Sequence, residues 1–199
     1  MSLYRIMAAG SLLCIVAFAD GPRVDPKLVM ALKQAVKETP GPSNQLETLT
    51  WLADMSTRLE HRIPDPFYRV QLLKTVHTEA IRSGLRPELV LALIEVESTF
   101  DRFAVSRSGA RGLMQVMPFW KKEIGHPGDN LFQPRTNLRY GCTILKYYLD
   151  LANGDTYDAL ARYNGSYGKA AYSSRVMLAF NETWQPSSYG FGEQYKINE

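Results

Sequence analysis

Apolar residues recur along most of this chain at intervals of three and four, the repeat that gathers them on one side of an α-helix. Asp25-Pro26 opens a run to about Lys37 in which Leu28, Ala31, Leu32, Ala35 and Val36 keep that spacing. Thr39-Pro40-Gly41-Pro42-Ser43-Asn44 breaks it and reads as a linker. A second helix is predicted from about Gln45 to His61, with Leu49, Leu52, Met55 and Leu59 on one side; Ile63-Pro64-Asp65-Pro66 stops it. A third runs from about Phe67 to Ser83 and ends at Gly84, a residue suited to the left-handed position after a helix. Pro87 fits the first turn of the next helix, 87–98. Further helices are predicted at about 112–117, 119–124, 136–152, 156–163 and 172–183. No stretch alternates with period two, so the expected fold is all-α without a large sheet.

Helix 87–98 stands apart because it is apolar nearly all round: Leu89, Val90, Leu91, Ala92, Leu93, Ile94 and Val96 leave no polar face. Such a helix belongs in the centre of a fold. Two carboxylates, Glu95 and Glu97, interrupt its end. A carboxyl near apolar side chains has its pKa raised and can remain protonated near neutrality, as a general acid must. Residues two apart on a helix point roughly 200° from one another, so Glu95 and Glu97 cannot serve one site. The helix alone does not say which of them faces a cleft.

The first residues change the picture of where the protein works. Arg5 precedes the apolar run Ile6–Ala19, which ends in the small-x-small triplet Ala17-Phe18-Ala19. This reads as a secretory signal peptide over 1–19. The run is shorter than the roughly 20 residues that cross a bilayer. The expected location is therefore the bacterial periplasm, with membrane association if the leader is retained. The remaining chain divides into an N-terminal helical extension (20–66), a catalytic domain (67–185) and an irregular tail (186–199). Eleven Tyr, eight Phe and three Trp supply enough apolar surface for a packed core in 199 residues. The net charge of +3 is weak. With no run of Lys or Arg longer than two, nucleic acid is not an expected partner. Without Cys14 the chain keeps only Cys142, on an apolar helix side, so no internal disulfide is expected. His61, His77 and His126 are scattered, so neither a metal nor a cofactor is expected.

Motifs after Glu97 carry the functional reading. Glu97-Ser98 is followed by Phe100-Asp101, Ala104-Val105-Ser106 and Gly109-Ala110-Arg111-Gly112-Leu113-Met114-Gln115-Val116-Met117-Pro118. Asn137-Leu138-Arg139-Tyr140-Gly141 and Ala159-Leu160-Ala161-Arg162-Tyr163-Asn164-Gly165 come next. In order and spacing, over about residues 68–180, this set resembles the soluble lytic transglycosylase (SLT) domain, a goose-type-lysozyme-like family that cleaves peptidoglycan. The resemblance implies a lysozyme-like helical domain with Glu97 as the catalytic acid/base. It also implies substrate contacts by Ser98, Met114, Gln115, Tyr163 and Asn164. The family's Glu-Thr pair before a final cleft tyrosine is missing. Tyr172, in Tyr172-Ser173-Ser174-Arg175-Val176, is the expected tyrosine, and Glu182-Thr183 matches the pair by chance.

Most glycosidases need two carboxylates, and here the motifs offer one. The resemblance implies a route in which N-acetylmuramic acid supplies the second group: its 2-acetamido oxygen attacks the anomeric carbon and its C6 hydroxyl replaces water. The implied product is a 1,6-anhydro-N-acetylmuramic acid end, and the implied partner is the peptidoglycan glycan strand, met by a monomer. A hydrolytic muramidase and a catalytically silent wall-binding protein in a cell-envelope complex are the alternative readings.

Overall fold

The computed structural model describes residues 25–37 and 42–186. Eight α-helices follow one another: α1 (Pro26–Lys37), α2 (Pro42–Leu59), α3 (Pro66–Arg82), α4 (Pro87–Ser98), α5 (Trp120–Ile124), α6 (Pro134–Leu151), α7 (Thr156–Asn164) and α8 (Ala170–Ala179). A π-helical turn, Phe180–Trp184, continues α8. Among the described residues there is no strand, only isolated pairings of Val105 with Arg111 and Arg111 with Val116. The all-α expectation holds.

Five of these helices open with proline, whose missing N–H is no loss in a first turn. Asp65 caps α3 by accepting from the Phe67 amide at 3.1 Å, and Asp155 caps α7 by accepting from Asp158 at 3.1 Å. Gly84 and Gly165 take the left-handed conformation that closes α3 and α7.

Helix α4 is the axis of the core. Leu89 through Ile94 are buried in succession, α3 packs on one side, and α8 with the π turn packs on another. Helix α6 packs on α3, and α7 bridges α6 and α8. The N-terminal helices are bound into the same core. Trp51 of α2 is buried and donates its indole N–H to Glu88 of α4 at 2.8 Å. Buried Arg69 of α3 donates to the Ser56 hydroxyl at 2.8 Å and to the Ile63 carbonyl at 2.6 Å.

Three expectations need correction. Helix α2 begins at Pro42, inside the expected linker, because that proline can take the first helical position. Residues 112–117 form a looped turn, not a helix. Gly112 and Gln115 have φ of 74° and 48°, and the Arg111 and Val116 backbones pair with each other. The last predicted helix, 172–183, begins at Ala170 and widens into the π turn at Phe180. The expected leader and the tail from 187 onward lie outside the described residues.

Candidate active site

The end of α4 separates its two carboxylates. Glu95 faces the π turn and the turn after α2: its Oε2 accepts from the Trp184 indole at 2.6 Å, and its Oε1 pairs with Arg62. Glu97 faces α8, where the Tyr172 hydroxyl donates to its Oε1 at 2.5 Å. Its Oε2 has no hydrogen-bond partner among the described residues. Burial raises the Glu97 pKa above its ordinary value; the Tyr172 hydrogen bond and the positive charge of Arg175 oppose the shift without cancelling it. No second carboxylate is among the groups that act on it. Asp101 is exposed and accepts from the Phe103 amide at 2.8 Å, which commits it to a turn.

After Ser98 the chain bends sharply. Thr99 and Phe100 both hold positive φ, 51° and 66°, a conformation that side-chain-bearing residues seldom adopt. Phe100 is held there by burial against Trp184, with ring centroids 5.5 Å apart. The bend sends residues 101–117 back over the end of α4. Ser98 fastens them: its hydroxyl donates to the Leu113 carbonyl at 2.7 Å. Asn137 of α6 fastens them from below. It accepts from the Met114 amide at 2.8 Å and donates to the carbonyls of Arg111 at 2.8 Å and Leu131 at 2.9 Å. A methyl group on Gly112 would lie 2.5 Å from the Leu131 carbonyl oxygen, so only glycine fits.

Met114 meets no solvent. It packs on Gly141, where an added Cβ would lie 2.7 Å from the Met114 Cβ. What Met114 offers is its carbonyl, which accepts from the Tyr163 hydroxyl at 2.7 Å. Tyr163 lies close enough to Glu97 that the carboxylate, after burial, raises the tyrosine pKa well above its usual value. The Tyr172 pKa is raised in the same way, again by burial first and Glu97 second. Gln115 is half-buried in its left-handed backbone conformation. Its amide nitrogen donates to Gly112 O at 2.9 Å and Ala104 O at 3.2 Å, while its side-chain oxygen accepts from no described residue. Asn164 is exposed at the last turn of α7, and its side chain makes no hydrogen bond among the described residues.

Glu97, Tyr172 and Tyr163 thus meet at one place. The loop carrying Met114 and Gln115 is tied to that place through Tyr163 and Ser98. Asn137, Gly141 and Arg175 contribute to the same arrangement; the sequence motifs contain all three but assign none of them a role. For Asn137 a signal existed: an amide beside Leu138 on the apolar stripe of α6 is a buried polar group that must find partners.

Among the described residues no cluster of His, Cys, Asp and Glu could hold a metal ion, and no helix is long and apolar enough to cross a membrane.

Known proteins share this arrangement of sequence. Membrane-bound lytic murein transglycosylase C of Photorhabdus laumondii is 33% identical over 112 residues, 48% of this chain and 31% of that protein. The transglycosylase of Enterobacteria phage PRD1 is 31% identical over 107 residues, 54% of this chain and 39% of that protein. The chain thus spans about a third of the length of these curated relatives. The lytic transglycosylase Slt of Pseudomonas aeruginosa, solved as an inactive mutant, aligns at 25% identity with a TM-score of 0.45, covering 71% of this chain and 22% of that one. The family model of the transglycosylase SLT domain matches residues 74–176, over half of the chain and every element that converges on Glu97 and Tyr172. The chain belongs to the transglycosylase SLT domain family.

Proposed function

We propose that this protein is a peptidoglycan lytic transglycosylase. It cleaves the bond between N-acetylmuramic acid and N-acetylglucosamine and leaves 1,6-anhydro-N-acetylmuramic acid ends. The observation that carries this reading is the state of Glu97: a carboxyl whose pKa is raised by burial, with Oε1 taken by Tyr172 and Oε2 left without a partner. In the protonated acid Oε2, the oxygen not engaged by Tyr172, carries the proton and is free to meet a substrate.

Chemistry follows from that proton. Oε2 gives it to the glycosidic oxygen, and the N-acetylglucosamine hydroxyl leaves. The 2-acetamido oxygen of the muramic acid closes on its own anomeric carbon, doing what a second carboxylate does elsewhere. Glu97, now ionised, takes the proton of the C6 hydroxyl. That oxygen attacks the anomeric carbon and breaks the bond to the acetamido oxygen. No water is consumed and the acid is returned protonated. A positioned acid/base of this kind contributes about 10² to 10⁴ in rate.

Tyr172 positions the acid in this scheme. Gln115, Tyr163 and Asn164 bind the sugars, with the unpartnered Gln115 oxygen suited to an acetamido N–H. Ser98 and Met114 hold that wall through their bonds to the loop. The substrate places the protein in the periplasm, and the murein named in its relatives fits that assignment.

Digestion of purified sacculi followed by mass spectrometry tests the reading. Anhydro-muramyl ends that vanish with Glu97→Gln are expected. Reducing ends would mean that water replaces the C6 hydroxyl, and no fragments at any pH would overturn the enzyme.

A further inference from the structure

A depression of about 470 Å³ opens between α3, α6 and the loop after α5, sharing no residue with the Glu97 site. Its chemistry is set by Glu79 of α3, a buried carboxylate. Arg82 donates to it at 2.6 Å and Arg139 at 3.1 and 3.3 Å, which satisfies both oxygens. Arg135 is surplus. Its Nε lies 4.0 Å from Glu79 and its side chain is 78% exposed. It also stands in the first turn of α6, where the helix dipole disfavours a cation. The other carboxylate at the rim, Asp129, accepts from the Tyr140 hydroxyl and the His126 amide. Lys121 caps the carbonyls of the same loop. Three arginines, Arg82, Arg135 and Arg139, therefore line the depression with Asp129 as its one lining carboxylate and the Thr136 and Thr143 hydroxyls on the wall, while Glu79 lies buried beneath them.

We infer that this depression is an oxyanion site that takes a phosphate group. A phosphate group supplies negative charge to this basic lining. It also presents several oxygens to guanidinium groups arriving from three backbone positions, two of them already shared with Glu79, whereas one carboxylate offers two oxygens and a single charge. The group can come from free phosphate or from the headgroup of an anionic lipid.

The test is titration of the full chain with inorganic phosphate at fixed ionic strength, following the arginine Nε–H resonances by NMR. Saturable shifts are expected, with binding about tenfold weaker in Arg135→Gln. That side chain holds none of the core, so the variant folds; Arg135→Lys, keeping charge without the fork, should fall between. Shifts no larger than chloride produces, equal binding by Arg135→Gln, or tighter binding of acetate than of phosphate would each overturn the inference. Given phosphate binding, sedimentation with phosphatidylglycerol but not phosphatidylcholine vesicles, lost in Arg135→Gln, identifies a lipid source; its absence identifies free phosphate. None of these measurements requires turnover, so they stand or fall apart from the Glu97 reading.

Discussion

The Tyr172 hydroxyl lies 2.5 Å from Oε1 of Glu97 and joins α8 to the last turn of α4. This bond favours the ionised acid, while burial favours the neutral one, and burial prevails. Activity that needs the protonated form should therefore hold on the acid side and fall as pH rises through the folded pKa of Glu97. Tyr172→Phe removes the opposing bond, so the pKa climbs further and the alkaline limb should move to higher pH even as kcat drops. A pH–rate profile of the two proteins checks this; an unmoved or lowered limb would refute the role given to Tyr172.

Glu97→Gln should fold and lose about 10² to 10⁴ in turnover. It should also change how stability responds to pH. The native state of the parent binds the Glu97 proton more tightly than the unfolded chain, whose value is near 4.5. Parent stability therefore falls as pH rises from that value to the raised folded one. The variant lacks this loss, so its melting temperature relative to the parent should improve from pH 4 to pH 8.

Glu95→Gln is the opposite case. Its carboxylate pairs with Arg62 and accepts from Trp184 on the far side of α4. Losing the charge should cost about 1–3 kcal/mol of stability and leave most of the turnover. Urea unfolding and sacculus digestion read the two effects separately, and equal loss of turnover in both glutamate variants, at equal stability, would show the assignment of roles to be wrong.

Gly141→Ala drives a methyl group into Met114, whose carbonyl holds Tyr163. Overpacking of this kind costs about 1–3 kcal/mol. Because the displaced residue supports the site, kcat should fall even at temperatures where the variant is fully folded. Normal turnover in folded Gly141→Ala would show that the Met114–Tyr163 link is dispensable.

Asn137→Ala leaves the Met114 amide and the Leu131 carbonyl without a partner and takes one of two donors from the Arg111 carbonyl, which keeps the Val116 amide. One such group costs about 1–3 kcal/mol, and two lie together, so the melting temperature should drop more than for Glu95→Gln. Faster amide exchange at Met114, read by NMR, would mark the loosened loop.

Where helices are made locally, the pattern of residues was enough. Helix α4 could be read to its ends because Pro87 opens it and an unbroken apolar run fills it. The loop 112–117 could not. Leu113, Met114 and Val116 imitate helical spacing, but the backbone groups there are satisfied by Asn137 and by pairing of Arg111 with Val116, and neither partner is visible in a local window. The choice between Glu95 and Glu97 failed on physics for the same reason. Both sit on one apolar helix, and what separates them is what packs on each side: Trp184 and Arg62 for one, Tyr172 for the other. Motif order chose Glu97 without that knowledge. The π turn has no local signature; it ends at Trp184, which is fully buried.

That seat has a consequence for where the molecule can be cut. The family match stops at residue 176, yet Trp184 is completely enclosed, and Arg58 of α2 reaches the neighbouring Thr183 carbonyl at 2.6 Å. A fragment trimmed to 74–176 would strip Glu95 of its indole and its arginine and bare one flank of the central helix. The stretch that the family model matches is thus shorter than the packed unit around α4, and a fragment meant to keep the Glu97 site intact should carry both margins with it.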